Sequence, residues 1–252
     1  MVSTVTRGDD NAPHDLWWNG GDAFRSRLFD AISLLLPSGE KFVIAVASDW
    51  LNAQPPSDLP DAQLRLDVQR FIREEVAHSR AHRLYNERLA LHAPALELER
   101  RIASAMDEMA DWRLPTRIAF AAAFEYLTAE LSVEVIRPRS VWIGKGTAPQ
   151  IRLWRWHAQE EIGHRHVMAH IMATHRVGYG RRTIAFLAAA LYIVWDLTVS
   201  LFVIFKFDIQ SRRLSIWQLI SQAATFAVRA LPSFLRLVLG GVRYLMPARP
   251  VR

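Results

Sequence analysis

The sequences REEVAH at residues 73–78 and QEEIGH at residues 159–164 share one pattern. Each contains a glutamate followed three residues later by a histidine, Glu75 with His78 and Glu161 with His164. Residues three apart lie one above the other on a helix, so each pair can present a carboxylate and an imidazole to the same point. A single pair of this kind is weak, but its repetition predicts two helices that share one site.

Two isolated glutamates complete an arrangement used by four-helix proteins. In dinuclear carboxylate bundles, two helices each supply a Glu-x-x-His pair and the other two each supply one Glu. Glu40 precedes the first pair and Glu125 precedes the second. Glu125 stands in an apolar stretch, whereas Glu40 has the alternative of stabilising the first turn of a helix. The order predicts an all-α fold, a ferritin-like four-helix bundle with a dinuclear metal centre and additional C-terminal apolar helices.

Two further histidines extend the ligand set. His157 lies four residues before Glu161 and offers a seventh ligand, with packing beside Trp154 as the alternative. His82 lies one turn beyond His78, where it can act as an additional ligand or as a hydrogen-bond partner of a ligand. The remaining histidines are interpreted as surface or packing residues: His14, His92, His166, His170 and His175.

Glu74 and Glu160 compete with the neighbouring glutamates for the role of ligand. Consecutive helical residues are rotated by about 100° from each other, so only Glu75 and Glu161 share a helix face with a histidine one turn away. We therefore interpret Glu74 and Glu160 as lying outside the ligand set.

The candidate ligands and two metal ions balance each other in charge. Four carboxylates would bring four negative charges into a bundle interior, and two divalent ions neutralise them while neutral imidazoles add nothing. Oxygen and imidazole ligands suit iron or manganese, and zinc is also compatible. The chain has no cysteine, which excludes thiolate-bound zinc and ordinary iron–sulfur clusters. Two adjacent metal ions can activate dioxygen or promote hydrolysis, and ligand identity does not decide between these reactions.

Stretches rich in alanine, leucine, arginine and glutamate, separated by proline and glycine, are typical of helices. We predict a break at Pro37, with Ser38 capping the next helix. The expected domains are an N-terminal extension at 1–21, the metal-binding bundle at 22–178, and basic, apolar helices at 179–252 that pack on the bundle or on a membrane. Helices are predicted near Asp22–Leu36, Ser38–Leu51, Asp61–Leu91, Pro94–Trp112, Pro115–Ile136, Ala148–Arg176, Thr183–Lys206 and Ser215–Tyr244, and loops at Ala53–Leu59 and Pro138–Thr147.

Positive charge is concentrated in the last third of the chain. From Arg176 to Arg252 there are ten Arg and one Lys against two Asp, a net charge of +9, while the whole chain carries +6. This apolar, basic region favours a membrane surface over a nucleic acid as a partner. The stretch Thr183–Phe205, with Asp196 as its only charge, is long enough to cross a bilayer, and a buried helix is an equal alternative.

The first twenty residues contain three aspartates and no continuous apolar stretch, so no secretory signal is evident. We therefore expect a cytoplasmic protein, and association with the inner face of the cell membrane is an open alternative. In the last predicted helix, Arg229, Arg236 and Arg243 recur every seven residues and form one basic stripe.

Four segments resemble a bacterial family described as predicted metal-dependent hydrolases: Ala31–Phe42, Phe71–Asn86, Glu125 with Thr128, and Leu153–Val167. The ligand order is also similar to that of ferritin-like di-iron arylamine N-oxygenases, which use four Glu and three His. The second resemblance implies that the glutamates hold or bridge the metal ions and that the histidines complete them. The implied ligands are Glu40, Glu75, Glu125 and Glu161 with His78, His157 and His164.

The first functional interpretation is a di-iron oxygenase or oxidase that uses dioxygen and an external electron donor. The second is a metal-dependent hydrolase with the same ligands, and the third is a non-catalytic, membrane-associated metal-binding bundle. The expected cofactors are two metal ions, iron in the first interpretation, with manganese or zinc as alternatives. No nucleic acid is expected, while a membrane surface and a second copy of the chain stay open as partners. Aromatic residues near the ligands indicate a small apolar or amphipathic substrate: Phe124, Tyr126, Trp154 and Trp156.

Overall fold

The structure, a computed structural model, describes residues 16–53 and 62–246. Within these residues all regular secondary structure is helical, as predicted. The predictions for the first 15 residues, for most of the Ala53–Leu59 loop and for the last six residues lie outside the described residues. The helices are α1 (Ala23–Ala53), α2 (Ala62–Leu89), α3 (Ala95–Ala110), α4 (Leu114–Ile136), α5 (Pro149–Thr174), α6 (Tyr179–Gln210) and α7 (Ile216–Leu245).

The break predicted at Pro37 is wrong, because α1 continues through the proline. Proline has no amide hydrogen, so the carbonyl of Ser33, four residues earlier, loses its helical hydrogen bond. The Nδ2 of Asn86 on α2 donates to that carbonyl over 2.9 Å, and the Oγ of Ser79 donates to the carbonyl of Pro37 over 3.3 Å. A neighbouring helix thus compensates for the proline, and Ser38 lies inside a helix instead of capping one.

The four helices that carry the predicted ligands surround a common interior. α1 packs against α2 and α4 packs against α5, while α1 also contacts α4 and α2 contacts α5. Gly39 on α1 allows a close approach to α4, since a Cβ there would lie 2.5 Å from the ring of Phe124. Gly39 and Phe124 immediately precede Glu40 and Glu125, so this contact brings the two isolated glutamates towards each other.

The last two helices, α6 and α7, pack on α1 and α4. They run antiparallel, because the hydroxyl of Tyr179 at the start of α6 donates to the carbonyl of Leu245 at the end of α7 over 2.7 Å. The ring of Phe24 contacts Phe205 near the end of α6 and Phe226 near the start of α7. Among the described residues, α1, α6 and α7 are long and apolar enough to cross a membrane by length and composition alone.

Two buried aspartates tie α6 to the rest of the protein. The guanidinium of Arg27 on α1 donates to both carboxylate oxygens of Asp208, over 2.7 and 2.9 Å, and both side chains are fully buried. Asp196 is also buried and accepts a hydrogen bond of 2.5 Å from Arg101 on α3. The single charge within the stretch considered as a span is therefore paired inside the protein.

We expect Asp208→Ala to lower the free energy of unfolding by about 3–5 kcal/mol, because it leaves the buried guanidinium of Arg27 partly unpaired. Urea denaturation followed by circular dichroism measures the change. The matched control is Asp67→Ala, since Asp67 pairs with the exposed Arg70 at 2.8 Å and should lose no more than about 1 kcal/mol. Equal losses in the two variants would contradict the role given to the buried pair.

Candidate metal centre

All seven predicted ligands are buried, and none has more than 3% of its area exposed. They come from four different helices and converge on the interior that these helices surround. Glu40 lies on α1, Glu75 and His78 on α2, Glu125 on α4, and His157, Glu161 and His164 on α5.

Four of these side chains form one compact group: Glu75, His78, Glu161 and His164 each place a ligand atom within 4.8 Å of the others. The Nδ1 of His164 lies 2.5 Å from Oε1 of Glu75 and 3.4 Å from Oε2 of Glu161. The Nδ1 of His78 lies 3.7 and 4.0 Å from the same two oxygens. This group could hold a metal ion, and Glu125 lies beside it, with its Oε2 3.9 Å from Nδ1 of His164.

A second group adjoins the first. Glu40, His78 and His157 also place ligand atoms within 4.8 Å of one another. His157 connects the groups, because its Nε2 is 3.6 Å from Oε2 of Glu161 and its Nδ1 is 4.0 Å from Oε1 of Glu40. Glu40 is buried in the middle of α1, so the alternative that it serves only the first turn of a helix is wrong.

Several buried polar atoms of these groups have no hydrogen-bond partner among the described residues. They include both carboxylate oxygens of Glu40, Oε2 of Glu125, and the Nδ1 atoms of His78 and His157. An unpaired buried polar atom costs about 1–3 kcal/mol, and more when it is charged. Such atoms this close together are what a cation-binding site requires, so the residues present fit metal ligands.

Crossed hydrogen bonds join the two Glu-x-x-His helices. The Nε2 of His78 on α2 lies 3.0 Å from Oε2 of Glu160 on α5, and the Nε2 of His164 on α5 lies 3.1 Å from Oε2 of Glu74 on α2. A carboxylate that accepts from Nε2–H leaves the Nδ1 lone pair of a neutral ring available to a metal ion. Sequence reasoning missed this role for Glu74 and Glu160, although the doubled Glu-Glu of both motifs was a signal for it.

The carboxylates of α5 have additional hydrogen-bond donors. Thr128 on α4 donates from its Oγ1 to Glu161, and Trp156 donates from its Nε1 to Glu160 over 3.0 Å. The ring of Trp156 also packs edge-on against His78, with the ring centroids 4.8 Å apart. These contacts fix the orientation of the buried carboxylate of Glu161 and of the partly exposed carboxylate of Glu160.

His82 lies beside the two groups but belongs to neither. The Oγ of Ser33 donates to Oδ1 of Asn86 over 2.7 Å, so it accepts from Nδ1 of His82 at 2.9 Å. This hydrogen bond keeps the proton on Nδ1 and leaves the buried Nε2, which has no partner within residues 16–53 and 62–246, as an acceptor. The ring packs against His157 with centroids 4.9 Å apart. Both predicted roles of His82 therefore stay open.

Of the aromatic residues expected near the ligands, Trp154 and Trp156 contact histidine rings of the site. Trp154 packs against the rings of His82 and His157, Trp156 against His78, and Phe124 precedes the buried Glu125. The ring of Tyr126 packs against Tyr244 of α7, and its hydroxyl donates to a carbonyl of that helix over 2.9 Å.

The histidines of the first group have raised pKa values. Burial opposes a charge on His78, but hydrogen bonds to Glu160 and Glu75 raise its pKa to about 9. Burial also opposes a charge on His164, yet hydrogen bonds to Glu161 and Glu75 raise its pKa to about 12. A cation that binds to these rings must therefore displace protons.

The pKa values of Glu40, Glu125 and His157 shift in the direction that favours the uncharged form of each side chain. Burial, followed by the negative charges of Glu75 and Glu161, raises the pKa of Glu40 and of Glu125 well above its ordinary value. Burial lowers the pKa of His157 well below its ordinary value, so this ring is neutral. The raised pKa values of Glu40 and Glu125 thus oppose the charged form that a cation needs, whereas His157 has no proton to lose.

We expect zinc binding to release protons, because folding raises the pKa of His78 and His164 and both rings are protonated near neutral pH. Affinity should then rise between about pH 6 and pH 9, by up to about tenfold per pH unit for each proton released. Calorimetric titration in buffers with different ionisation enthalpies counts those protons. An affinity that is constant over this range would contradict the pKa assignment.

A family model described as predicted metal-dependent hydrolase matches residues 7–248. Comparisons with curated proteins and with solved structures found no significant match. The matched region includes both Glu-x-x-His pairs and the two isolated glutamates, and it confirms the resemblance seen in the sequence. The chain therefore belongs to the predicted metal-dependent hydrolase family.

Proposed function

We propose that this chain is a metal-dependent enzyme with a dinuclear centre, and that hydrolysis is its reaction. The observation that carries the proposal is the buried convergence of Glu75, His78, Glu161 and His164, with one ligand atom of each within 4.8 Å of the others. Membership of the family described as predicted metal-dependent hydrolases supports hydrolysis over the other reactions of such centres.

In this proposal the ligand-bearing helices α1, α2, α4 and α5 form a ferritin-like four-helix bundle. The contributions of these helices support it, because two supply a Glu-x-x-His pair and two supply a single buried Glu. Residues 22–178 would then be the metal-binding domain, and residues 179–252 would pack on its outside.

The seven ligands divide between two ions according to the two groups of side chains. Glu75, Glu161 and His164 would hold one ion together with the adjoining Glu125, and Glu40 and His157 would hold the other. His78 belongs to both groups and would complete either ion, with His82 as an additional donor or a support. The charges of four carboxylates and two divalent cations would cancel, which would lower the free-energy cost of burying the carboxylates and the cations together. Iron, manganese and zinc all accept this set of oxygen and nitrogen ligands.

Two adjacent divalent ions polarise the oxygen of an ester, amide or phosphoryl group and make a bound water more acidic. The chain's own residues would orient the ligands and move protons. Glu74 and Glu160 each have 36% of the side chain exposed, so they connect the buried Nε2 atoms of His164 and His78 to solvent. Thr128, through its hydrogen bond to Glu161, would fix the orientation of that carboxylate.

A second candidate function is the oxidation of a small apolar or amphipathic substrate by dioxygen at a di-iron centre. The third imidazole favours it, since buried His157 completes a set of four Glu and three His like that of the N-oxygenases that the ligand order resembles. Such an enzyme would need an external electron donor as a partner, which a hydrolase does not.

The two functions predict opposite metal and oxygen requirements. Chain prepared without metal would be loaded with zinc or with ferrous iron and assayed on nitrophenyl esters, phosphoesters and anilides with and without air. We expect turnover with zinc in the absence of dioxygen, and its loss in Glu75→Ala but not in the exposed control Glu87→Gln. Turnover that needs iron, a reductant and dioxygen would support the second function, and activity that survives Glu75→Ala would contradict both.

The crossed hydrogen bonds should contribute to metal affinity. We expect the double variant Glu74→Gln/Glu160→Gln to bind metal roughly 10–100-fold more weakly, because an amide holds the Nε2–H of each histidine less strongly than a carboxylate does. Competition with a chromophoric chelator measures the affinity, circular dichroism checks the fold, and Glu87→Gln is the control. An unchanged affinity would show that these carboxylates do not support the ligands.

A further inference from the structure

The outward face of α6 is apolar over most of the length of the helix. From Ile184 to Phe202, its exposed side chains are all apolar except for Thr198. They recur every three or four residues and so form one continuous stripe about 27 Å long. Leu191 is 71% exposed and Trp195 is 65% exposed. An apolar surface of this extent is typical of an interaction site.

The outward face of α7 carries a second apolar stripe with a basic edge. At about 100° per residue, Arg229, Arg236 and Arg243 lie along one side of the stripe, between it and the buried face of the helix. α7 contains no acidic residue, and both aspartates of α6 are buried. The exposed apolar members of the stripe are Ile220, Val228, Leu231, Leu235, Val238, Leu239 and Val242.

The two stripes lie on the same side of the protein. α6 and α7 both pack on α1 and α4 through their inner faces. They also contact each other where Phe186 of α6 stacks on Tyr244 of α7, with the ring centroids 4.6 Å apart. Their outward faces therefore form one surface, which we call the α6–α7 surface.

The buried ion pairs argue against a membrane-spanning α6. A span over Thr183–Phe205 would have to separate Asp208 from Arg27 and Asp196 from Arg101, and would place Asp196 in the hydrocarbon. A central aspartate costs about 2.5–3.5 kcal/mol on the insertion scale, in addition to the lost buried pairs. Of the two other helices long enough to span, α1 carries the buried Glu40 inside the protein, and α7 carries Arg229, Arg236 and Arg243 along its length.

We propose that the α6–α7 surface binds an anionic lipid bilayer, with both helices lying in the plane of the membrane surface. The apolar stripes would enter the boundary between headgroups and acyl chains, while Arg229 and Arg243 would contact anionic headgroups. Arg236 instead donates to both carboxylate oxygens of the buried Glu134 on α4, over 2.7 and 2.6 Å. A second copy of the chain fits this surface less well, because a symmetric pair would bring the arginine edges together without an exposed carboxylate on α6 or α7. This proposal does not depend on the metal centre or on its reaction.

The absence of native cysteine allows a direct test of depth. The full chain carrying Leu187→Cys, Val194→Cys or Phe202→Cys would be labelled with an environment-sensitive fluorophore and mixed with vesicles of phosphatidylglycerol and phosphatidylcholine. Lipids spin-labelled near the headgroup or near the acyl-chain end would then quench the fluorescence. We expect shallow quenching at all three positions, since all lie on one stripe parallel to the surface.

Substitutions on the α6–α7 surface separate the apolar contribution to vesicle binding from the contribution of the arginines. Leu231→Glu, at a side chain 56% exposed, should abolish vesicle binding, whereas Leu66→Glu on α2, at a side chain 57% exposed, should not. Arg229→Gln and Arg243→Gln should each weaken binding to anionic vesicles about five-fold, and the control Arg70→Gln should have no effect.

Three results would overturn the proposal. The first is deep quenching at position 194 with shallow quenching at positions 187 and 202, which would indicate a span. The second is binding to phosphatidylcholine alone that equals binding to the anionic vesicles. The third is no vesicle binding together with a dimer in sedimentation equilibrium that Leu231→Glu dissociates, which would assign the surface to a second copy of the chain.

Discussion

Negative charge buried among apolar helices is the constraint on which the rest of this structure depends. Four carboxylates lie in one interior, and each would be strongly destabilising without a proton, a hydrogen-bond donor or a cation nearby. The raised pKa values of Glu40 and Glu125 and the charged rings of His78 and His164 are responses to that cost. Divalent cations would meet the same need, which is why we interpret the groups as a metal centre.

The helices around this interior are adapted to hold the charged groups in place. In α1, the carbonyl that Pro37 leaves free binds Asn86, and the same Asn86 binds the hydroxyl that orients His82. The proline therefore couples α1 to α2 one turn before Glu40. Outside the interior, Arg27 and Asp208 attach α6 by a second buried charge pair. The candidate ligands and the C-terminal helices α6 and α7 are thus parts of one folded unit.

Local patterns in the sequence were sufficient for much of the fold and for selecting side chains that converge in its interior. The positions of proline and glycine predicted the bounds of α2 to α7 to within a few residues. The three-residue spacing of each Glu-x-x-His pair selected side chains that are buried together in the structure. The features that local patterns got wrong or left open share one cause, which is that the deciding partner residue lies far away along the chain. Asn86 compensates for Pro37, and Arg101 neutralises Asp196 from 95 residues away. Glu160 likewise gains its role from a histidine on another helix.

The location of metal ions within the fold is the central claim, and anomalous diffraction from crystals of the metal-loaded chain measures it most directly. The account predicts two peaks roughly 3.5–4 Å apart, one beside Glu75, Glu161 and His164 and the other beside Glu40 and His157. A map with no peak in this interior, or with a single ion held at the outer carboxylates Glu74 and Glu160, would contradict the account.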